Sequence, residues 1–171
     1  APITGWAIHN GTSTVGGTPS APTFAPADNL TLMAAFNDIP LVNNGDYVEV
    51  KTTLEINDRT ANTGTNALNT QLRIGIFDGP AGAIGFEDTP NLGYIIEYSN
   101  VVGGGLIREQ TIASQTSPFT SPTNIGNGSA PTGNITGANP DPVTFTLRLT
   151  RNGGAFDLTG SIVSSTFMGN Y

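Results

Sequence analysis

The sequence predicts an all-β protein built as an antiparallel β-sandwich, and three observations carry that prediction. Asp46 to Asn57 (DYVEVKTTLEIN) alternates, with Val48, Val50, Thr52, Leu54 and Ile56 on one side and Glu49, Lys51, Thr53 and Glu55 on the other. Val143 to Thr150 (VTFTLRLT) does the same, with Val143, Phe145, Leu147 and Leu149 on its apolar side. An apolar helical stripe recurs near every 3.6 positions, so neither segment fits a helix; each needs a sheet with one wet face. Finally, the chain carries roughly eight strand-like runs separated by turn signals and no amphipathic helical spacing.

Taken in order, Ile3 to His9 reads as a first strand ended by the turn pair Asn10-Gly11. Gly16 to Asp28 is rich in Pro, Gly and Ser and reads as a surface loop. Leu30 to Phe36 (LTLMAAF) is too short before Asp38 and Pro40 to be a helix, so it reads as a strand. The long alternating strand follows, then a polar loop from Ala61 to Asn69. Gln71 to Phe77 alternates again, with Leu72, Ile74 and Ile76 on one side and Arg73 and Gly75 on the other. Asp78 to Pro90 is a glycine-rich connection. Gly93 to Ser99 (GYIIEYS) and Leu106 to Ile112 make a hairpin across Gly103-Gly104-Gly105. Ala113 to Pro142 lacks periodicity and reads as a long irregular loop, beyond the ~12 to 15 residues usual for structureless connections. The last alternating strand turns at Asn152-Gly153-Gly154 into Ala155 to Ile162, because Asn and Gly accept the positive φ of tight hairpin turns. Packing of Val50, Leu54, Ile74, Ile76, Phe145, Leu147 and Leu149 in one core is expected, within a single domain spanning residues 1–171.

Composition narrows the partners. Charged residues are 11% of the chain, less than half the ~25% usual for soluble proteins, and Gly, Asn, Thr and Ser stand in their place. The formal charge is -7 with six basic residues, Lys51 the only lysine, so no basic patch is available for nucleic acid or an anionic membrane. No run approaches the ~20 apolar residues of a membrane-spanning helix, no leader is visible, and Ala1 reads as a mature N-terminus. With no cysteine, disulfides and thiolate chemistry drop out.

The order NGDYVEVKTTLEIND, NTQLRIGIFDGP, GYIIEYS and VTFTLRLTRNGGAFDLTGSI, behind the opening Trp6 strand, resembles the concanavalin-like (laminin-G-like) jelly-roll domains of secreted bacterial surface proteins, many of which carry a PEP-CTERM sorting tail. The resembling elements are Arg73 to Asp78 and the hairpin Thr150 to Asp157. The resemblance implies a jelly-roll sandwich and an extracellular, secreted or cell-surface location. Its motifs are structural, so it implies no activity. Relatives continue with further strands after the hairpin, whereas this chain has few residues beyond Met168, which implies a sandwich incomplete at its C-terminal edge.

Candidate sites are few. Glycoside hydrolases flank the scissile bond with carboxylates ~5 to 9 Å apart; Glu49 and Glu55 share a face but stand about 20 Å apart at strand rise. His9 has no nucleophile-elbow serine to serve, since G-x-S-x-G does not occur. No catalytic residue is assigned and no enzyme is expected. Glu87, Asp88 and Asn91 offer hard oxygen ligands for calcium without the spacing of a calcium loop, so no cofactor is assigned beyond that candidate. Trp6, Tyr47, Tyr94, Tyr98 and Tyr171 are the candidate platforms for stacking on a sugar ring. Sequons at Asn10, Asn29, Asn127 and Asn134 arise readily in so Asn- and Thr-rich a chain. Two functions follow. One is a non-catalytic extracellular structural subunit that self-assembles into a surface layer or filament through its low-charge strand faces. The other is a carbohydrate-binding module for extracellular polysaccharide.

Overall fold

A computed structural model describes residues 7–10, 15–23, 31–34, 36–56, 72–78, 92–99, 104–110, 123–127, 141–165 and 168–171. Among the described residues there is no helix, and every strand pairing is antiparallel. β1 (Ala7–Asn10) pairs with β4 (Thr31–Met33), and β2 (Gly16–Thr18) with β3 (Ala21–Thr23). The two main sheets have four strands each. One is ordered β12 (Met168–Asn170), β11 (Ala155–Val163), β10 (Asp141–Asn152), β5 (Tyr47–Ile56); the other is the meander β6 (Leu72–Phe77), β7 (Gly93–Ser99), β8 (Gly104–Gln110), β9 (Thr123–Asn127). The chain is an all-β protein of sandwich architecture.

The core lies between these sheets. Phe145, Leu147, Val143 and Ile162 from one and Ile96, Tyr98 and Ile107 from the other are fully or almost fully buried and form one cluster. Val50, Leu54, Leu72, Ile74, Ile76, Tyr94, Leu158 and Tyr171 pack against it while only partly buried. Six of the seven expected core residues therefore converge, Leu149 not among them, and only Phe145 and Leu147 are sealed. Val50 and Leu54 lie on β5 and Ile74 and Ile76 on β6, both sheet-edge strands, and Leu149 sits near the hairpin end.

The hairpin follows its turn chemistry. Asn152 pairs with Ala155, and Gly153 takes φ 62°, the value required at the first central position of a II′ turn. Two stretches expected as loops contain strands. Gly16–Thr18 and Ala21–Thr23 form a small hairpin turning at Pro19-Ser20, and β9 occupies Thr123–Asn127 inside the region 113–142. Both are three- to five-residue elements of mixed Gly, Pro, Ala, Thr and Asn, too short and too polar to show alternation.

At the C-terminal edge, Tyr171 continues the line of β12. Its backbone exchanges two hydrogen bonds with Gly160, at 2.9 and 2.8 Å, and its hydroxyl accepts the Gly105 N–H of the opposite sheet at 3.0 Å. Glycines make this approach feasible: a Cβ on Gly105 or Gly169 would collide with the Tyr171 ring, and one on Gly160 would lie 2.8 Å from Ile96 Cδ1. One tyrosine thus bridges both sheets at the edge expected to be incomplete.

Candidate functional site

Alternation fixes what the β5–β10–β11–β12 sheet shows to solvent. With Leu147 and Phe145 inward, the register brings Tyr47 opposite Thr150, Glu49 opposite Arg148, Lys51 opposite Thr146 and Thr53 opposite Thr144. Across the next ladder Arg148 meets Thr159, Thr146 meets Ser161 and Thr144 meets Val163; Ser161 and Val163 in turn face Asn170 and Met168. The result is a four-strand platform of hydroxyls with few charges.

Two pairs tie it across β5 and β10. The Thr53 and Thr144 hydroxyls lie 2.9 Å apart, and Arg148 donates to Glu49 Oε2 from Nε at 2.8 Å with Nη2 2.7 Å away. The same guanidinium lies 4.2 Å from the centre of the Tyr47 ring, a cation–π contact. A shallow groove runs between Glu49, Thr146, Arg148, Thr159, Ser161 and Asn170. At one corner the platform becomes apolar, where the cross-strand partners Val163 and Met168 are 41% and 60% exposed.

The turn before β5 anchors one end of this platform. The Asp46 carboxylate accepts the N–H groups of Val42 and Asn43 at 2.9 and 2.7 Å, which holds its pKa below the ordinary aspartate value. Gly45, at φ 88°, donates to the Arg151 carbonyl, while Arg151 N–H returns to Asp46 O. Gly153 N–H donates to Asn44 Oδ1, so the turn and the hairpin tip are locked together.

The opposite sheet differs. On the side of the meander facing away from the core, Ile95, Glu97 and Gln110 are 0%, 0% and 1% exposed. Glu97 is held from both sides: Arg73 Nε donates to Oε2 at 2.6 Å and Arg108 Nη2 to Oε1 at 3.1 Å. Among the described residues neither the Gln110 amide nor Arg108 Nε has a hydrogen-bond partner. This triad was invisible in sequence, because its members come from three strands and nothing in GYIIEYS marks its glutamate as buried. The only available sign was that GYIIEYS lacks a clean polar face, as a strand covered on both sides does.

The sequence-derived candidates separate accordingly. Tyr98 is 1% exposed in the core, and Tyr94 packs against the same cluster, where burial pushes its phenol pKa up and Glu109 adds to the rise. Both lie on the inward face with Ile96; the Tyr98 ring is closed to a ligand, whereas Tyr94 stays partly exposed. Tyr47 is 51% exposed, though Arg148 stacks on it. Trp6 and the calcium candidates Glu87, Asp88 and Asn91 lie outside the described residues, as does the side chain of His9. Glu49 is ion-paired and Glu55 is exposed on the same strand. Among the described residues no three His, Cys, Asp or Glu side chains gather as a metal site, and no helix is long and apolar enough to cross a membrane. Compared with models of known families, with curated proteins and with solved structures, the chain matches none.

Proposed function

We propose that this chain is a non-catalytic structural subunit that works outside the cell and assembles with copies of itself. The observation that carries the reading is the outer platform of the β5–β10–β11–β12 sheet. It is regular, its main ion pair is satisfied internally, and it ends in the exposed Val163–Met168 corner. A flat face of this kind loses little by desolvation when a similar face covers it, since hydroxyls exchange hydrogen bonds readily and few charges must be stripped of water. The resemblance to concanavalin-like jelly-roll domains of secreted bacterial surface proteins supports the extracellular setting. A surface layer or a filament is the proposed product.

Sedimentation velocity on untagged protein over a wide concentration range, with electron microscopy of the concentrated sample, tests the reading. Concentration-dependent association supports it. A monomer throughout sinks it and moves weight to the alternative, a carbohydrate-binding module. The specific observation favouring that alternative is the groove beside Tyr47, whose Glu49, Arg148 and Asn170 side chains carry the carboxylate, guanidinium and amide groups that bond sugar hydroxyls.

A further inference from the structure

β5 is a ten-residue strand at a sheet edge: among the described residues its hydrogen-bonded neighbour is β10 alone. A long regular edge is a template for another strand unless something blocks it. Proline and bulges, two usual blocks, are missing from Tyr47 to Ile56, which pairs with β10 without a register shift. The inward side chains Val50 and Leu54 are only partly buried, leaving apolar surface at the rim of the core.

We propose that β5 pairs antiparallel with β5 of a second copy about a two-fold axis at Thr53, joining two four-stranded sheets into one of eight. This deepens the self-assembly reading above and rests on it. The charge pattern selects the partner and the register. Around an axis at Thr53, residues equally far from 53 face each other: Lys51 meets Glu55 of the second copy twice over, and Thr53 meets itself. Both Lys51 and Glu55 are exposed on the outer face. On the core side Thr52 meets Leu54 twice over, continuing the inward row across the junction.

Neighbouring registers are worse. An axis at Thr52 sets Glu49 against Glu55, one at Lys51 sets lysine against lysine, and one at Leu54 brings no opposite charges of β5 together. An axis at Val50 sets Lys51 against Glu49, whose carboxylate Arg148 already holds. Opposite charges directly across a strand pair stabilise it and like charges destabilise it, so Thr53 is the favoured centre. The interface is isologous and closes on itself, so it gives a dimer; a layer or filament then needs a second contact, for which the Val163–Met168 corner is free of this edge.

Charge reversal tests this on exposed side chains that the core does not use. Lys51→Glu and Glu55→Lys should each weaken dimerisation, roughly tenfold or more, by turning two attractions into two repulsions. The double variant restores the complementarity and should recover the dimer. Circular dichroism should show all three variants folded. A Thr53→Cys variant, the only cysteine in its chain, should cross-link to itself on oxidation, while Glu49→Cys, far from the axis, should not. Association that ignores both single reversals, or a double variant no better than the singles, overturns this edge while leaving self-assembly standing. A wild-type monomer at every concentration overturns both.

Discussion

Each main sheet carries an arginine–glutamate contact on the side away from the shared core, and the two contacts live in different media. Arg148–Glu49 lies on the wet platform, with 41% and 27% of the side chains exposed. Arg73–Glu97–Arg108 surrounds a glutamate with no exposure at all. The chemistry is the same, so any difference in energetic weight reports the surroundings. In water both ions are well solvated before and after pairing, and the pair adds about 0 to 1 kcal/mol. A buried carboxylate has lost its hydration and depends on its two arginines, so breaking such a group costs about 3 to 5 kcal/mol. The wet sheet can therefore spend its outer residues on contacts with other molecules, whereas the meander uses its outer residues to hold three of its strands together.

That contrast can be broken in several places. The largest effect expected is Glu97→Ala, a loss of about 3 to 5 kcal/mol in urea unfolding, because two arginines are left facing each other without their shared acceptor. Phe145→Ala calibrates it from the core both sheets share, at a similar ~3 to 5 kcal/mol. A smaller Glu97 effect than the Phe145 effect by several fold would show that water reaches the triad. Gly160→Val comes next, about 1 to 3 kcal/mol, since the new side chain presses on Ile96 Cδ1 in the opposite sheet. Glu49→Gln should cost under about 1 kcal/mol and less still in molar salt, measured in the same unfolding experiment.

Titration gives the mildest probe, with opposite signs at its two ends. The Asp46 pKa is lowered by the Asn43 and Val42 N–H groups, so its contribution is complete above the ordinary aspartate pKa of 3.8 and is lost as pH falls through the lowered value. Tyr171 and Tyr94 have pKa values raised above 10.0, chiefly by burial. Their contribution is complete below that value and is lost as pH rises through the raised one. Thermal unfolding across pH should fall off at both limits, and Tyr171→Phe should soften the alkaline limb.

The wet sheet was readable because its strands have one face in water. In DYVEVKTTLEIN and VTFTLRLT the alternation names both the strand and the orientation of each residue, so the platform from Tyr47 to Thr150 follows from sequence once the register is known. The register itself was not readable, since β5 and β10 are joined by neither a turn nor a short loop. The meander was less legible. In GYIIEYS, Ile95 and Ile96 are both fully buried although they point to opposite faces, so polarity no longer separates inside from outside. The burial of Tyr98 and of Glu97, on opposite faces of that strand, is therefore not legible from its pattern. Sequence pattern reports exposure, and where a sheet is covered on both sides the pattern goes silent.

The pairing of β10 with its two neighbours also sets a timetable for folding. Its hairpin with β11 closes over two residues and is local enough to form in ~1 to 10 μs. Its pairing with β5 joins Leu54 to Val143 across the whole meander, and contacts of such separation form late because loop closure costs entropy before they form. Between these events one edge of β10, the strand that later lies inside its sheet, is open. A newly made chain therefore passes through a stage in which the same backbone groups that will hold β5 can accept a strand from another molecule. Dilution during refolding, which favours the intramolecular partner, should raise the yield of native subunit.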